Sequence, residues 1–395
     1  MKRLSLGLTL FAVLLVGACV YDYTPPVPEG GGMLVINGDI LIGRESEINI
    51  SRTTEVGTGL AGNLLVEAVY AEGMDGAVYP GTPDGNAVYH IDTQAADPAL
   101  EYRLVVQADG SVYESAWQTA LKAPAIDSLS YTISEDRQTL VMEISTHAVS
   151  DAEAGNRYLR WIVKQVWEYH ALHNAMFFFV PAGSTRYDVT AVNDTLVYYG
   201  DRVNDYRCWK NEPVHDLMIA STNELSENRL VLYPIYSMGC RDLRTQDLYH
   251  TEVIQEAISP EAYRYYEAVR SNSTNVGGLF SPQPSEMRGN IRNRDNKEEI
   301  VLGYVSVTQP SVVDRFIDFN YFIFHRVGEE EKGSKMQSVA KQYWHRFFYS
   351  GFLPVYSEGP TENVSSVFWD VARCVNCKSF GGTKDKPDWW PNDHR

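Results

Sequence analysis

The sequence predicts a mainly β protein: an N-terminal immunoglobulin-like β-sandwich followed by a second, larger β-rich domain with one or two helices. Short runs of alternating apolar and polar residues recur along most of the chain, and turn residues separate them. Only one stretch carries a clear helical signal. Aromatic residues, among them 25 Tyr and 8 Trp, lie largely within the alternating runs. We therefore assign them mainly to β-sheet cores, with an aromatic ligand surface as the alternative.

The N-terminus has the pattern of a lipoprotein signal peptide over residues 1–18. Positive charge at Met1-Lys2-Arg3 precedes an apolar run from Leu4 to Val16, which is too short to span a bilayer. Gly17-Ala18 then places small side chains directly before Cys19, as a lipoprotein signal peptidase requires. We therefore expect a lipid on Cys19 that anchors the mature protein to a membrane. An ordinary cleaved signal with an incidental cysteine is the alternative.

The first part of the mature chain divides into a tether and a β-sandwich. Residues 19–32 are rich in Pro and Gly, which predicts a flexible tether. Residues 33–122 contain several short alternating runs, such as Glu47 to Ile50, and predict the immunoglobulin-like sandwich. Asp109-Gly110 lies between two of these runs and predicts a type I′ hairpin turn.

The strands of the second domain, residues 123–395, include the longest alternating run in the sequence. From Arg157 to Tyr169, large apolar side chains occupy one face of a predicted strand. The other face carries Arg160, Lys164 and Glu168, so we expect this face to be half exposed. The apolar run from Met176 to Val180 predicts a fully buried strand, with an apolar docking surface as the alternative.

One helix is well signalled in this domain. Ser259 is suited to cap it, Pro260 to occupy its first position and Glu261 to interact with its positive end. We expect this helix to end near Ser271. A second helix is predicted from Gln337 to Phe348.

Charge and motifs exclude several classes of function. The formal net charge of −17 argues against a nucleic-acid partner, because phosphate contacts need Lys and Arg. The sequence contains no Gly-x-Ser-x-Gly elbow, no His-Glu-x-x-His, no P-loop and no dinucleotide fingerprint. His170 and His173 have the spacing of helical metal ligands, but they follow a predicted strand. We expect no catalytic residues, no cofactor and no metal, although distant residues are able to assemble an active site.

Besides Cys19 the chain has four cysteines, an even number that predicts two disulfides in an exported protein. Pairing near neighbours gives Cys208–Cys240 and Cys374–Cys377. The Cys374-Val-Asn-Cys377 segment also has the spacing of half a zinc site or of a redox dithiol. Zinc would need two further ligands, and only His345 and His394 lie nearby in sequence. A redox dithiol would need a thioredoxin-like βαβ context, which the sequence does not show, so we favour structural disulfides.

Several segments together resemble one family of Bacteroidota lipoproteins, catalogued only as a domain of unknown function (family forty-two forty-nine). The resemblance runs from residues 34–38 (LVING) onward. Its other segments are residues 258–263 (ISPEAY), 277–291 (GGLFSPQPSEMRGNI), 301–304 (VLGY), the Cys374–Cys377 segment, 381–383 (GGT) and 386–390 (KPDWW).

The resemblance implies a place in the outer membrane, on its cell-surface or periplasmic face. Members are often encoded beside TonB-dependent receptors, which implies an accessory role in nutrient uptake with such a receptor as partner. The family has no established catalytic residues, so none is carried over. A lipid-anchored binding protein is therefore our first hypothesis. A surface hydrolase of glycan or peptide and an adhesin-like structural protein are the alternatives.

Overall fold

The computed structural model describes residues 32–54, 64–200, 204–274, 288–319, 333–357 and 366–392. The predicted signal peptide, Cys19 and nearly all of the tether lie outside these ranges. Within them the protein is mainly β, as predicted, with 27 strands and four α-helices. No helix in the described part of the chain is both long and apolar enough to cross a membrane.

An antiparallel nine-stranded sheet forms most of the N-terminal unit. Its path is β1-β3-β6-β5-β4-β7-β8-β22, with β9 paired to β7. The strands are β1 (Leu34–Asn37), β3 (Glu45–Arg52), β4 (Val66–Gly73), β5 (Val78–Pro83), β6 (Val88–Asp92), β7 (Glu101–Ala108), β8 (Ser111–Ser115), β9 (Gln118–Thr119) and β22 (Ile291–Asn293).

The two halves of this sheet share one core. Strand β5 pairs with β4 through residues 78–80 and with β6 through residues 81–83, so β5 connects the two halves of the sheet. Ile36 and Ile48 from one half pack in the same apolar cluster as Val69 and Leu104 from the other. The predicted turn between β7 and β8 is present, because Asp109 and Gly110 both have positive φ, 50° and 73°.

A later segment of the chain completes this unit. β22 pairs with β8, and a small parallel sheet joins β2 (Ile40–Leu41), β10 (Leu121–Lys122) and β23 (Val307–Gln309). Val301, Val305 and Val307 are buried in the N-terminal core. The N-terminal unit is therefore not made of residues 33–122 alone. Residues from about 289 to 309 supply two of the strands of this unit and part of its core.

The second unit consists of two sheets around another core. A three-stranded sheet contains β11 (Ala125–Ile133), β12 (Thr139–His147) and β20 (Arg229–Gly239). A five-stranded sheet contains β13 (Tyr158–His170), β18 (Arg207–Pro213), β19 (Met218–Ser221), β21 (Leu248–Ala257) and β24 (Ser311–Asp318). Residues of β12 and β13 meet in one buried cluster between these sheets.

The prediction for β13 is confirmed on one face and wrong on the other. Leu159, Trp161 and Val163 are buried in the core, as their alternation predicts. The outward face is largely covered, so that Arg160 is 6% exposed and Glu168 is fully buried. Alternation indicates which side chains share a face, but it does not show what packs against that face.

Smaller sheets between and beyond these strands carry aromatic cores. They contain β14 (Phe177–Val180), β15 (Thr185–Arg186), β16 (Val189–Thr190), β17 (Thr195–Tyr198), β25 (Gln337–Ala340), β26 (Phe352–Tyr356) and β27 (Ser366–Val371). All four residues of β14 are buried, which confirms the predicted buried strand except at Met176, which precedes β14 and is 41% exposed. Phe179 packs against Trp369 and Phe348 in one of these cores.

The helices are α1 (Asp151–Ala154), α2 (Pro260–Thr274), α3 (Trp344–Tyr349) and α4 (Ala372–Val375), and short 3-10 helices cover Leu243–Thr245, Lys341–Tyr343 and Cys377–Phe380. α2 begins as predicted, because the hydroxyl of Ser259 accepts a hydrogen bond from the backbone N–H of Ala262 at 3.1 Å. The second predicted helix is much shorter than expected, since its first residues form β25.

Both predicted disulfide pairings are wrong. Cys208 is bonded to Cys377, with Cα atoms 5.7 Å apart and a separation of 169 positions in sequence. The C-terminal segment lies against β18, where Trp209 and Thr383 exchange backbone hydrogen bonds, and this contact brings the two cysteines together. Cys240 and Cys374 are buried elsewhere. Because Cys377 is already bonded, the Cys374–Cys377 segment is neither a zinc half-site nor a redox dithiol in this structure.

Candidate functional site

A cavity of about 490 Å³ lies where the N-terminal unit meets the second unit. We call it the junction cleft. Its walls come from the outward faces of β3 and β13, from the segment after β1 and from the connection between β18 and β19. This volume is in the range of small-molecule binding sites, which often form between structural units.

Period-two alternation directs the side chains of β3 into the cleft. Ile48 and Ile50 point into the N-terminal core and are buried. Glu45, Glu47 and Asn49 therefore point the other way and line the cavity.

The floor of the cleft is a buried charge network centred on Arg160. Its guanidinium donates hydrogen bonds to a carboxylate oxygen of Asp39 and to the hydroxyl of Tyr266. Its Nε lies 2.8 Å from Oε2 of Glu256 in an ion pair. Asp39 also accepts a hydrogen bond from the backbone N–H of Ser306. The network thus joins the N-terminal unit, the second unit and α2.

Glu256 is the unusual member of this network. It is fully buried, and its Oε1 has no hydrogen-bond partner among the residues that the structure describes. Burial raises the pKa of Glu256 to about 8, against the opposing effect of the Arg160 charge. Glu256 therefore binds a proton more readily than an exposed glutamate, because burial disfavours its charged form.

The rim of the cleft is more exposed and carries its own ion pairs. Nζ of Lys164 lies 2.6 Å from Oε1 of Glu47, and Nδ1 of His90 lies 2.9 Å from Oε1 of Glu45. Possible ligand atoms of Glu45, Glu47 and His90 all lie within 4.8 Å of one another. This trio is the set in the described part of the chain that resembles a cation site. Since Lys164 already pairs with Glu47, we draw no metal site from it.

Negative charge exceeds positive charge in the cleft. Its lining includes five carboxylates and two permanent cations, and apolar side chains fill much of the remaining wall. The carboxylates are Asp39, Glu45, Glu47, Asp216 and Glu256, and the cations are Arg160 and Lys164. Arg160 contacts Asp39 and Glu256, and Lys164 contacts Glu47. Among the described residues, the lining carboxylates without an arginine or lysine partner are Glu45, which contacts His90, and Asp216. Such a surface favours a ligand that carries positive charge on an apolar body.

The residues singled out from the sequence do not form this site. His170 and His173 do not converge, since Nδ1 of His170 lies 2.7 Å from the carbonyl of Ala171 and Nε2 of His173 lies 2.9 Å from Asp370. None of the described cysteines lines the cleft. Cys19 lies outside the described residues.

Sequence reasoning placed Arg160 on the polar face of β13 but missed Asp39, Glu256 and Tyr266. A signal for Glu256 was present, because Gln255-Glu256 interrupts an otherwise apolar run, Val253 to Ile258. A charged residue within a buried strand requires a partner of opposite charge. The sequence could not show that this partner is an arginine on the neighbouring strand.

Comparison with known families shows which family the chain belongs to. The sequence profile described as "Domain of unknown function (DUF4249)" matches residues 20–312. The chain belongs to this family. The matched range contains every residue named above for the junction cleft, whereas Cys374 and the rest of the C-terminal segment lie beyond it. No curated protein matches the chain.

Proposed function

We propose that this DUF4249 protein is a lipid-anchored binding protein of the outer membrane. In this proposal the junction cleft holds a small molecule or short peptide with a positive charge. The observation that carries the proposal is the carboxylate surplus at Glu45 and Asp216, in a cavity that also offers apolar walls. Glu45 and Asp216 are both exposed, so the apolar walls of the cavity must contribute the larger part of the binding free energy.

The buried network at the floor of the cleft supports a preformed binding cavity. Asp39 and Glu256 are both buried and contact the guanidinium of Arg160, so they help to hold the floor in place. The network also fixes the two units relative to each other, so the cavity is largely formed before a ligand arrives. Among the described residues, no observation favours a surface hydrolase or an adhesin-like protein over this function.

A binding assay with a matched ligand pair tests the ligand class. The probe is the amidated tripeptide Leu-Lys-Leu, and its control is the same peptide with an acetylated N-terminus and an acetylated lysine. We expect calorimetric titration to show binding of the charged peptide and at least about tenfold weaker binding of the neutral one. The variant Glu45→Gln/Asp216→Asn should lose a similar factor. Glu224→Gln, an exposed carboxylate away from the cleft, is the control variant. Equal binding of both peptides would refute the ligand class.

The anchor and the transporter are supported by the signal sequence and by the family resemblance. Substitution Cys19→Ser should release the exported protein into the soluble fraction, as judged by membrane fractionation. Retention of this variant in the membrane would contradict the anchor.

Pull-down of the tagged, lipidated protein from its native membrane in mild detergent tests the partner. We expect a TonB-dependent receptor in near equal amount by mass spectrometry. Recovery of the protein without a receptor would contradict the transporter partner. It would not bear on the ligand class, which the titration tests.

A further inference from the structure

One tryptophan near the C-terminus is exposed, in contrast to the others. The chain has eight tryptophans, all among the residues that the structure describes: five are buried, two are half-buried and Trp389 is exposed. The exposed fraction of Trp389 is 54%. Because an indole gains much free energy when its apolar area leaves water, this exposure is unfavourable for the isolated protein. A single exposed apolar residue does not by itself mark a site, so the argument depends on what surrounds it.

Three aromatic rings hold the indole of Trp389 in place. Its centroid lies 4.7 Å from that of His250, 5.9 Å from that of Phe316 and 5.6 Å from that of Trp390. Trp390 is buried, and its Nε1 donates a hydrogen bond to Glu168 at 3.1 Å. We call Trp389 and these three rings the tryptophan platform. A ligand that stacks on Trp389 would need to order little of it.

The segment that carries Trp389 is fastened to the five-stranded sheet. The disulfide attaches Cys377 to β18, and Thr383 exchanges backbone hydrogen bonds with Trp209 of the same strand. The backbone N–H of Gly382 donates a hydrogen bond to the hydroxyl of Tyr169 at 3.0 Å. The platform is therefore a fixed part of the fold.

A carboxylate lies beside the platform. Asp314 and Phe316 are two residues apart on β24, so their side chains share one face of the sheet. Oδ2 of Asp314 lies 3.5 Å from Nε2 of His250, the imidazole that also contacts Trp389. This contact leaves acceptor capacity, since an ionised carboxylate has about four lone-pair sites. The side chain of Asp314 is 69% exposed, and no arginine or lysine in the described part of the chain pairs with it.

We propose that the tryptophan platform binds an arginine side chain of a partner polypeptide. A guanidinium stacks on an indole, and its planar fork of N–H donors fits a carboxylate, so Trp389 and Asp314 together match this group. A lysine ammonium is more strongly hydrated and has no planar face. Small-molecule sites enclose most of their ligand, whereas both of these side chains are more than half exposed, which favours an arginine presented by a protein surface.

Fluorine NMR of protein labelled with 5-fluorotryptophan tests the proposal at the site itself. The full chain with Cys19→Ser has eight tryptophan signals, and Trp389→Phe assigns the signal of the platform. The probe is the peptide Gly-Gly-Arg-Gly-Gly, acetylated and amidated. Its controls carry citrulline, which keeps the shape without the charge, or lysine in place of arginine. We expect the arginine peptide to shift the Trp389 signal saturably, and both controls to bind about fivefold more weakly or less.

Asp314→Asn should weaken binding of the arginine peptide about threefold or more. Glu224→Gln, which removes an exposed carboxylate elsewhere, should leave the affinity within about twofold. An unchanged Trp389 signal would overturn the proposal. Equal binding of the arginine and citrulline peptides would also overturn it, because the surface would then recognise neutral groups as well. Trp161 lines the junction cleft, so its separate signal reports binding there and keeps the two proposals independent.

Discussion

The junction cleft and a second cavity use charge in different ways. This second cavity, of about 510 Å³, lies between α2 and residues 288–304, and we call it the arginine groove. Tyr266 of α2 faces the cleft, whereas its neighbour Tyr265 faces the groove. In the cleft, Arg160 is buried and bonded to protein carboxylates. In the groove, Arg264 is largely exposed, and neutral hydrogen bonds hold the walls. A buried charge mainly affects the stability of the fold, whereas an exposed charge on a rigid wall mainly affects ligand binding.

The largest expected effect comes from removing the buried arginine. Arg160→Met leaves Asp39 and Glu256 without their cation, which should lower the free energy of unfolding by about 3–5 kcal/mol. Chemical denaturation measures this change. Arg264→Met in the groove is the matched control and should change stability by no more than about 0.5 kcal/mol. Equal losses of stability in the two variants would contradict the proposed difference between the buried charge of the cleft and the exposed charge of the groove.

The next largest loss of stability is expected from removing the disulfide, which lies outside both cavities. Cys208→Ala should lower the free energy of unfolding by about 2–5 kcal/mol, because the bond to Cys377 closes a long loop. Under reducing conditions most of the difference from the parent chain should disappear. Cys240→Ala is the matched control, and its smaller effect should not depend on reductant. Peptide mapping without reduction that finds Cys374 joined to Cys377 would contradict the structure.

A smaller effect is expected where the groove wall meets β1. Gly303 has a φ of 124°, and a Cβ at this position would lie 1.8 Å from the carbonyl oxygen of Ile36. Gly303→Ala should therefore cost about 1–3 kcal/mol of stability, measured by chemical denaturation. Gly155→Ala, which meets no atom within 4 Å, serves as the control. A fully stable Gly303→Ala would show that the backbone can separate here without loss.

A different kind of effect, a change in the pH dependence of stability, is expected from Glu256. Its pKa is about 8 in the folded protein and near 4.5 in the unfolded chain, so the folded state retains a proton between these values. Stability therefore falls as pH rises through this window, by at most about 1.4 kcal/mol per pH unit from this group. Glu256→Gln should remove that contribution. Denaturation curves of both proteins from pH 5 to about 8 test this, and parallel slopes would contradict a buried Glu256 with a raised pKa.

Local elements of this fold could be predicted because their signals are local. Ser259 and Pro260 mark the start of α2, Asp109-Gly110 marks a hairpin, and the alternation in β13 predicts its core face. The family resemblance was confirmed over residues 20–312.

The candidate sites could not be predicted, since they depend on contacts between distant parts of the chain. Arg160 and Asp39 are 121 residues apart, and Cys208 and Cys377 are 169 residues apart. The disulfide pairing failed because nearness in sequence replaced nearness in space. The burial of Arg160 was missed because alternation cannot reveal that the N-terminal unit covers the outer face of β13.

The location of a bound cationic peptide tests the central claim most directly. A crystal structure of the protein with amidated Leu-Lys-Leu would show where the lysine ammonium lies. We predict that it lies within hydrogen-bond distance of Glu45 or Asp216, with the leucine side chains against the apolar wall of the junction cleft. A peptide bound elsewhere on the protein, with only solvent in the cleft, would contradict the account.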